Sequence, residues 1–191
     1  MRTLYLLRHG ITEANEKHLY GGSTDSPLSE NGRRMAREIA VSRTLLNCDI
    51  CVSSGMTRAN ETLAILTGRS PDLILSELSE MDFGQFEMLG YETLRHIPDY
   101  QRWIGDDSGA FPCPGGESTG AFRKRVLAGG EALLALDWGM ALVVCHGGVI
   151  VNLMGSWFPA ENRGFYEWQP AACGGWRVEF DGRTPIRFEP I

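Results

Sequence analysis

Three short segments carry residue types suited to holding and transferring an anionic group. They are Arg8-His9-Gly10, Ser53-Ser54-Gly55 running on to Arg58, and His146-Gly147-Gly148. Arginine presents a planar fork of donors that matches phosphate oxygens, and it stays charged at physiological pH. A neutral imidazole can attack phosphorus or donate to a phosphoryl oxygen. Glycine beside such a residue lets the backbone approach a ligand closely. A lone strand-end arginine or histidine is most often a surface or capping residue. The same association at three places points instead to a pocket for a dianionic phosphoryl group. The remaining histidines, His18 and His96, read as surface residues.

Each segment follows an apolar run. Thr3 to Leu7, Ile50 to Val52 and Met140 to Cys145 predict buried strands, as does Leu73 to Leu75. Helices are expected between them. Ser29 can cap one that carries Met35, Ala36, Ile39 and Ala40 on one face, and Thr57 can cap one with Ala59, Leu63 and Leu66. Ser118 starts a long helix through Phe122, Val126, Leu133 and Leu136, and Val149 to Trp157 forms another. Tyr91 to Ile104 reads as helix interrupted at Pro98. Glu77 to Tyr91 and Gly105 to Gly116 read as loops, and the tail from Gly164 has β-like pieces such as Trp176 to Phe180. Strands alternating with helices predict an α/β fold with a largely parallel sheet. Ligands of open α/β sheets bind outside the carboxyl ends of the strands. Right-handed crossovers bring those ends to one edge, so Arg8, His9, Arg58 and His146 are expected to converge, with helix N-termini adding their affinity for anions.

The chain has 191 residues, which predicts one domain, 1–191, with a core large enough to need no staples. Hydrophobic content of 43% and charged content of 22% exclude a disordered, collagen-like or coiled-coil chain. A net charge of −6 argues against a nucleic-acid partner. The longest apolar stretch, Ala141 to Cys145, is far below the ~20 residues of a membrane helix. The apolar start is too short for a secretory leader, so no membrane partner and a cytoplasmic location are expected.

Five cysteines, an odd number, fit reduced thiols. Cys48-Asp49-Ile50-Cys51 is expected to close a helix and enter a strand, the reverse of a redox motif, and reads as packing. Cys145 beside His146 suggests a dyad, but adjacent strand residues point to opposite faces. Cys51 to Arg58 is one residue too long for a cysteine phosphate loop. No carboxylate cluster marks a Mg²⁺ site, so neither metal nor cofactor is expected.

Leu7 to Asn15, Gly22 to Gly32, Ser53 to Thr62, Leu78 to Gly84 and Cys145 to Ile150 follow one another as five motif blocks. Together they resemble the histidine phosphatase superfamily, the phosphoglycerate mutase-like proteins, along nearly the whole chain. The resemblance implies a three-layer α/β/α sandwich with a mainly parallel sheet. It implies His9 as nucleophile, with Arg8, Arg58 and His146 as phosphate ligands. It implies Glu80 as acid/base, with Thr12, Asn15 and Gly147 around the phosphate. Ile11 departs from the pattern, where the family usually has Glu or Gln, and is expected to alter pocket polarity without abolishing chemistry. Burial and a neighbouring phosphate would raise the pKa of Glu80 and suit it to protonate a leaving alkoxide. Asp82 and Glu87 are nearby alternatives for that task.

A phosphatase lets water attack the phosphohistidine, a mutase returns the group to a retained phosphoglycerate, and a binding module has lost a core residue. All four core residues are present here. The short Gly/Asp/Pro-rich chain between Glu80 and His146 favours an open site and hydrolysis, where the mutases carry longer closing segments. A broad sugar or nucleotide phosphatase is the further alternative. Leu78 to Met88 is most similar to the α-ribazole phosphatases of cobalamin nucleotide-loop assembly. The partner is then a small phosphate monoester with a flat aromatic group, and a homodimer is allowed. Tyr20, Phe83, Phe86 and Trp103 are the stacking surfaces on offer.

Overall fold

The computed structural model describes residues 1–42 and 48–191. Six strands form one mixed sheet: β1 (Arg2–Arg8), β2 (Ile50–Ser53), β3 (Leu73–Ile74), β4 (Met140–Cys145), β5 (Gly175–Asp181) and β6 (Thr184–Pro190), in the order β3-β2-β4-β1-β5-β6. β1, β4, β2 and β3 are parallel; β5 runs antiparallel to β1 and pairs with β6 as a hairpin. The sheet is thus mainly parallel, and the tail supplies an antiparallel edge.

The strand side chains alternate between two apolar layers, as a period of two requires. Leu4, Leu6, Ala141, Val143 and Cys145 face one layer with Phe122, Val126 and Leu133 of α6 (Thr119–Ala135) and Val149, Ile150 and Leu153 of α7 (Gly147–Trp157). Leu7, Cys51, Leu142 and Val144 face the other, with Ile39 and Ala40 of α2 (Glu30–Ser42) and Ala59, Leu63 and Leu66 of α3 (Thr57–Thr67). The result is the three-layer α/β/α sandwich. A fully buried leucine such as Leu6 or Leu63 contributes about 2 kcal/mol through its removal from water.

Short helices complete the chain: α1 (Glu13–Glu16), α4 (Tyr91–Leu94), α5 (Pro98–Ile104) and α8 (Phe165–Trp168). Pro98 begins α5 and divides it from α4, as expected. The loop expected from Glu77 to Tyr91 contains 3-10 turns at Ser76–Leu78 and Gly84–Phe86. Thr57 does not cap α3. Met56 is the N-cap residue and gives no side-chain bond; Asp25, distant in sequence, accepts from Thr57 N and Oγ1 at 2.7 Å each. Ser29 does cap α2, accepting from Gly32 N at 3.0 Å. Leu136 lies at the C-cap of α6, and α7 starts at Gly147 because His146 occupies its N-cap. Cys51 lies in β2, while the segment before Cys48, 43–47, falls outside the described residues. All five cysteines are buried.

The chain leaves β1 toward β2 on one side of the sheet and leaves β4 toward β5 on the other. Their shared carboxyl end is therefore a topological switch point, where open α/β sheets open a crevice.

Candidate active site

The register fixes what meets at that crevice. Arg8 pairs with Cys145 and Ser53 with Val144. The next residues, His9, His146 and Ser54, therefore form a row across three strand ends. His9 N donates to Cys145 O at 2.9 Å, and the two imidazole centroids are 5.1 Å apart. His9, Arg58 and His146 are 5, 1 and 0% exposed, so charge on any of them must be compensated inside the protein.

His9 Nδ1 lies 2.6 Å from Gly10 O. A carbonyl only accepts, so Nδ1 carries the proton and Nε2 holds a lone pair. Burial, then Arg58 and Arg8, push the pKa of His9 down to about 3, so the ring is neutral at neutral pH. Burial also holds His146 well below the usual histidine value, helped by His9 and Arg58.

Arg58 lies under the chain segment 21–24. Its Nη1 donates to Thr24 O at 3.0 Å and its Nη2 to Gly22 O at 2.7 Å. A side chain at Gly22 would collide with Met81 O, so only glycine allows the segment this close. Arg8 Nη1 donates to Pro170 O at 3.0 Å. Four buried side-chain polar atoms among the described residues have no hydrogen-bond partner: Arg8 Nε, Arg58 Nε, His146 Nδ1 and Trp103 Nε1. Unmet buried donors are rare in native proteins. Three of these four belong to the cations and imidazole beside His9, an arrangement that an acceptor-only oxyanion would satisfy.

Glu80 rests at the N-terminus of α7. Its Oε2 accepts from Gly148 N at 3.1 Å and its Oε1 from Met81 N at 3.0 Å. Burial raises its pKa above the ordinary carboxylate value, against the pull of those two N–H groups, Arg58 and Arg8. The carboxyl can therefore keep its proton to higher pH than a solvated glutamate. Asp82 and Glu87 are engaged elsewhere. Glu87 accepts from Gly22 N, Ser23 N, Thr24 N and Phe83 N, and Asp82 accepts from Ser23 Oγ and Gly84 N. Both tie the 21–24 segment to the acid-bearing loop.

A cavity of about 890 Å³ meets this centre at Arg8; Arg8, Asn15, Glu80 and Gly148 are among its lining, while the buried His9, Arg58 and His146 are not. Thr12 is not; its hydroxyl donates to Asn15 Oδ1 at 3.1 Å and caps α1. Gly147 also lies outside the lining, and a side chain there would meet Gln169. Ile11 is not in the cavity lining, and its carbonyl accepts from Ser29 N. Tyr20, Phe83 and Trp103 form one aromatic wall, in mutual edge contacts of 4.9 to 6.0 Å. Phe86 is 1% exposed and belongs to the core rather than to that wall.

Sequence reading missed Ser54, Asp25, Pro170 and Arg125. Ser54 was within reach, since it directly follows a strand in one of the three segments. The others act through main-chain atoms or across long sequence distances, and their local sequence carries no signal.

The chain matches the model of the histidine phosphatase superfamily (branch 1) over residues 4–187. It is 38% identical over 156 residues to the adenosylcobalamin/alpha-ribazole phosphatase of Salmonella typhimurium, covering 79% of this chain and 77% of that one. It is 33% identical over 170 residues to the 2,3-bisphosphoglycerate-dependent phosphoglycerate mutase of Rhizobium etli, covering 80% and 78%. The crystal structure of the alpha-ribazole phosphatase from Shigella flexneri superposes with a TM-score of 0.81 at 26% identity, covering 96% of this chain and 93% of that one.

Proposed function

This chain belongs to the histidine phosphatase superfamily and is a phosphatase, and from that premise we propose that it hydrolyses α-ribazole 5'-phosphate through a phosphohistidine at His9. The observation that carries the proposal is the pairing of His9, its Nε2 lone pair set free by Gly10, with the unpartnered donors of Arg8, Arg58 and His146. In this reading the three donors hold the phosphoryl oxygens and spread their charge as the group transfers. His9 Nε2 attacks phosphorus, the ester P–O bond breaks, and the proton of neutral Glu80 goes to the departing ribose oxygen. Glu80, now a carboxylate, takes a proton from a water that attacks the phosphohistidine. The P–N bond breaks, releasing inorganic phosphate and restoring both residues.

The substrate is supported by the relatives and by the cavity. A volume of about 890 Å³ suits a nucleoside-sized group, and the Tyr20–Phe83–Trp103 wall offers a stacking face to a flat benzimidazole. No described helix is long and apolar enough to cross a membrane. The test is a comparison of kcat/KM for α-ribazole 5'-phosphate, 3-phosphoglycerate, sugar phosphates and nucleotides. The highest value is expected for α-ribazole 5'-phosphate. A flat profile would mean a broad phosphatase, and phosphoryl exchange on 3-phosphoglycerate faster than hydrolysis would mean a mutase.

A further inference from the structure

Arg125, on α6, makes five hydrogen bonds. Nη1 donates to Glu77 O and to Ser79 O at 2.9 Å each, and Nη2 donates to Glu80 O at 3.1 Å. Nε and Nη2 donate to the two carboxylate oxygens of Glu117 at 2.8 and 2.7 Å. A guanidinium has five N–H donors, so each is committed within the protein. Arg8 and Arg58 differ in keeping an unpartnered Nε. Arg125 is therefore not built to grip a ligand. It is built to fasten the three carbonyls that lead into Glu80.

We propose that Arg125 is a positioning residue for Glu80, fixing the main chain from Glu77 to Glu80 so that the carboxyl rests on Gly148 N–H, and that Glu117 cancels the charge this clamp would otherwise bring. The idea rests on the reading of Glu80 as the acid. Glu117 completes the frame, because it also accepts from Asp82 N at 3.0 Å while Glu117 N donates to Asp82 O at 2.8 Å. The loop on both sides of Glu80 is thus held by one ion pair, whose side chains are 26 and 23% exposed. A bidentate pair of this kind is geometrically demanding, and lysine cannot reproduce it.

The arrangement separates geometry from charge. The charged groups facing Glu80 are Arg8 from β1 and Arg58 from α3, with the Arg125–Glu117 pair behind its main chain; the Cys145 thiol of β4 lies within its electrostatic reach. Burial raises the Glu80 pKa against the pull of Arg58 and Arg8. An uncompensated third cation would pull it down further and favour the carboxylate.

Single-turnover phosphoenzyme formation on glycerol phosphate and on nitrophenyl phosphate tests the clamp. The variants are Glu80→Gln, Arg125→Gln, Arg125→Lys, Glu117→Gln and the double Glu80→Gln/Arg125→Gln. A poor leaving group needs the acid, and general-acid help is worth ~10²–10⁴-fold. Arg125→Gln should lose about tenfold more rate on the glycerol ester than on the nitrophenyl ester, with Arg125→Lys between it and the native protein. On the Glu80→Gln background the same change should add less than about twofold, because the two residues act as one unit. Glu117→Gln should move the alkaline limb of the glycerol ester's pH profile to lower pH. Equal losses on both esters in Arg125→Gln, while Glu80→Gln still discriminates, would overturn the clamp and leave the acid in place. A Glu80→Gln variant that does not discriminate would overturn both. If Arg125→Gln fails to fold, an unmoved alkaline limb in Glu117→Gln overturns the clamp by itself.

Discussion

Ser54 Oγ lies 2.8 Å from His146 Nε2, and the N–H of Met56 points into the same hydroxyl at 3.4 Å. Ser54 is 2% exposed and, among the described residues, its hydroxyl proton has no acceptor other than Nε2, so the proton is directed there. The proton of neutral His146 is then on Nδ1, the unpartnered donor beside His9. Ser54 thus decides whether His146 can donate to a bound phosphoryl group. Ser54→Ala should release the other tautomer and lower kcat/KM on nitrophenyl phosphate about tenfold, the value of one lost charge-assisted donor. An unchanged kcat/KM would show that His146 keeps its tautomer without Ser54.

His9→Ala should abolish an acid-labile, base-stable phosphoprotein in rapid-quench experiments with labelled substrate. Turnover should fall by the order of 10⁴-fold or more, as expected for loss of a nucleophile. Label persisting in that variant would move the nucleophile elsewhere.

Gly148→Ala tests the seat of the acid. A Cβ there would stand 2.6 Å from Glu80 Oε1 and 3.1 Å from the Phe122 ring. The carboxyl must shift off the α7 N-terminus. The fold should survive with a loss of about 1–3 kcal/mol, while the glycerol phosphate rate falls much further than the nitrophenyl phosphate rate. Parallel falls on both esters would detach Gly148 from proton transfer.

Acid should destabilise the protein before ordinary carboxylates titrate. His9 and His146 are neutral in the fold, whereas unfolded histidines bind protons below about pH 6.5. The unfolded state then holds more protons, so stability falls as pH drops from about 6.5 toward the folded value of His9, about 3. Each histidine contributes a slope of up to about 1.4 kcal/mol per pH unit. Glu80 works in the opposite direction, since its raised folded pKa favours the fold at low pH. Urea unfolding between pH 7 and 5 should show the loss, and His9→Ala should reduce the slope.

Activity should survive a chelator, because Arg8 and Arg58 supply the charge that a divalent ion would otherwise bring to phosphoryl transfer, and His146 adds a hydrogen bond. Vanadate should inhibit by occupying the same donors in trigonal-bipyramidal geometry. Loss of activity in chelator, restored by a divalent ion, would contradict this.

The α/β layering was legible because buried strands and amphipathic helices write their periods locally. Leu4 and Leu6 alternate with Tyr5 and Leu7, and Pro98 divides α4 from α5 where proline must. The reactive types were legible for a related reason: Arg8, His9 and His146 each stand at the end of an apolar run. Their roles nevertheless depend on partners that sequence adjacency cannot supply. Asp25, rather than Thr57, caps α3 because the chain from 21 to 25 folds back over Arg58. Phe86 is in the core while Phe83, three residues earlier, reaches the cavity, a difference set by what packs around each ring and not by local spacing. Gly10, Ser54 and Arg125 act through a carbonyl, a hydroxyl and a fan of main-chain bonds. Hydrophobic periodicity is a property of one segment and survives in the sequence. Hydrogen-bond direction and the proton positions it fixes belong to pairs of groups, and only the folded chain brings those pairs within reach.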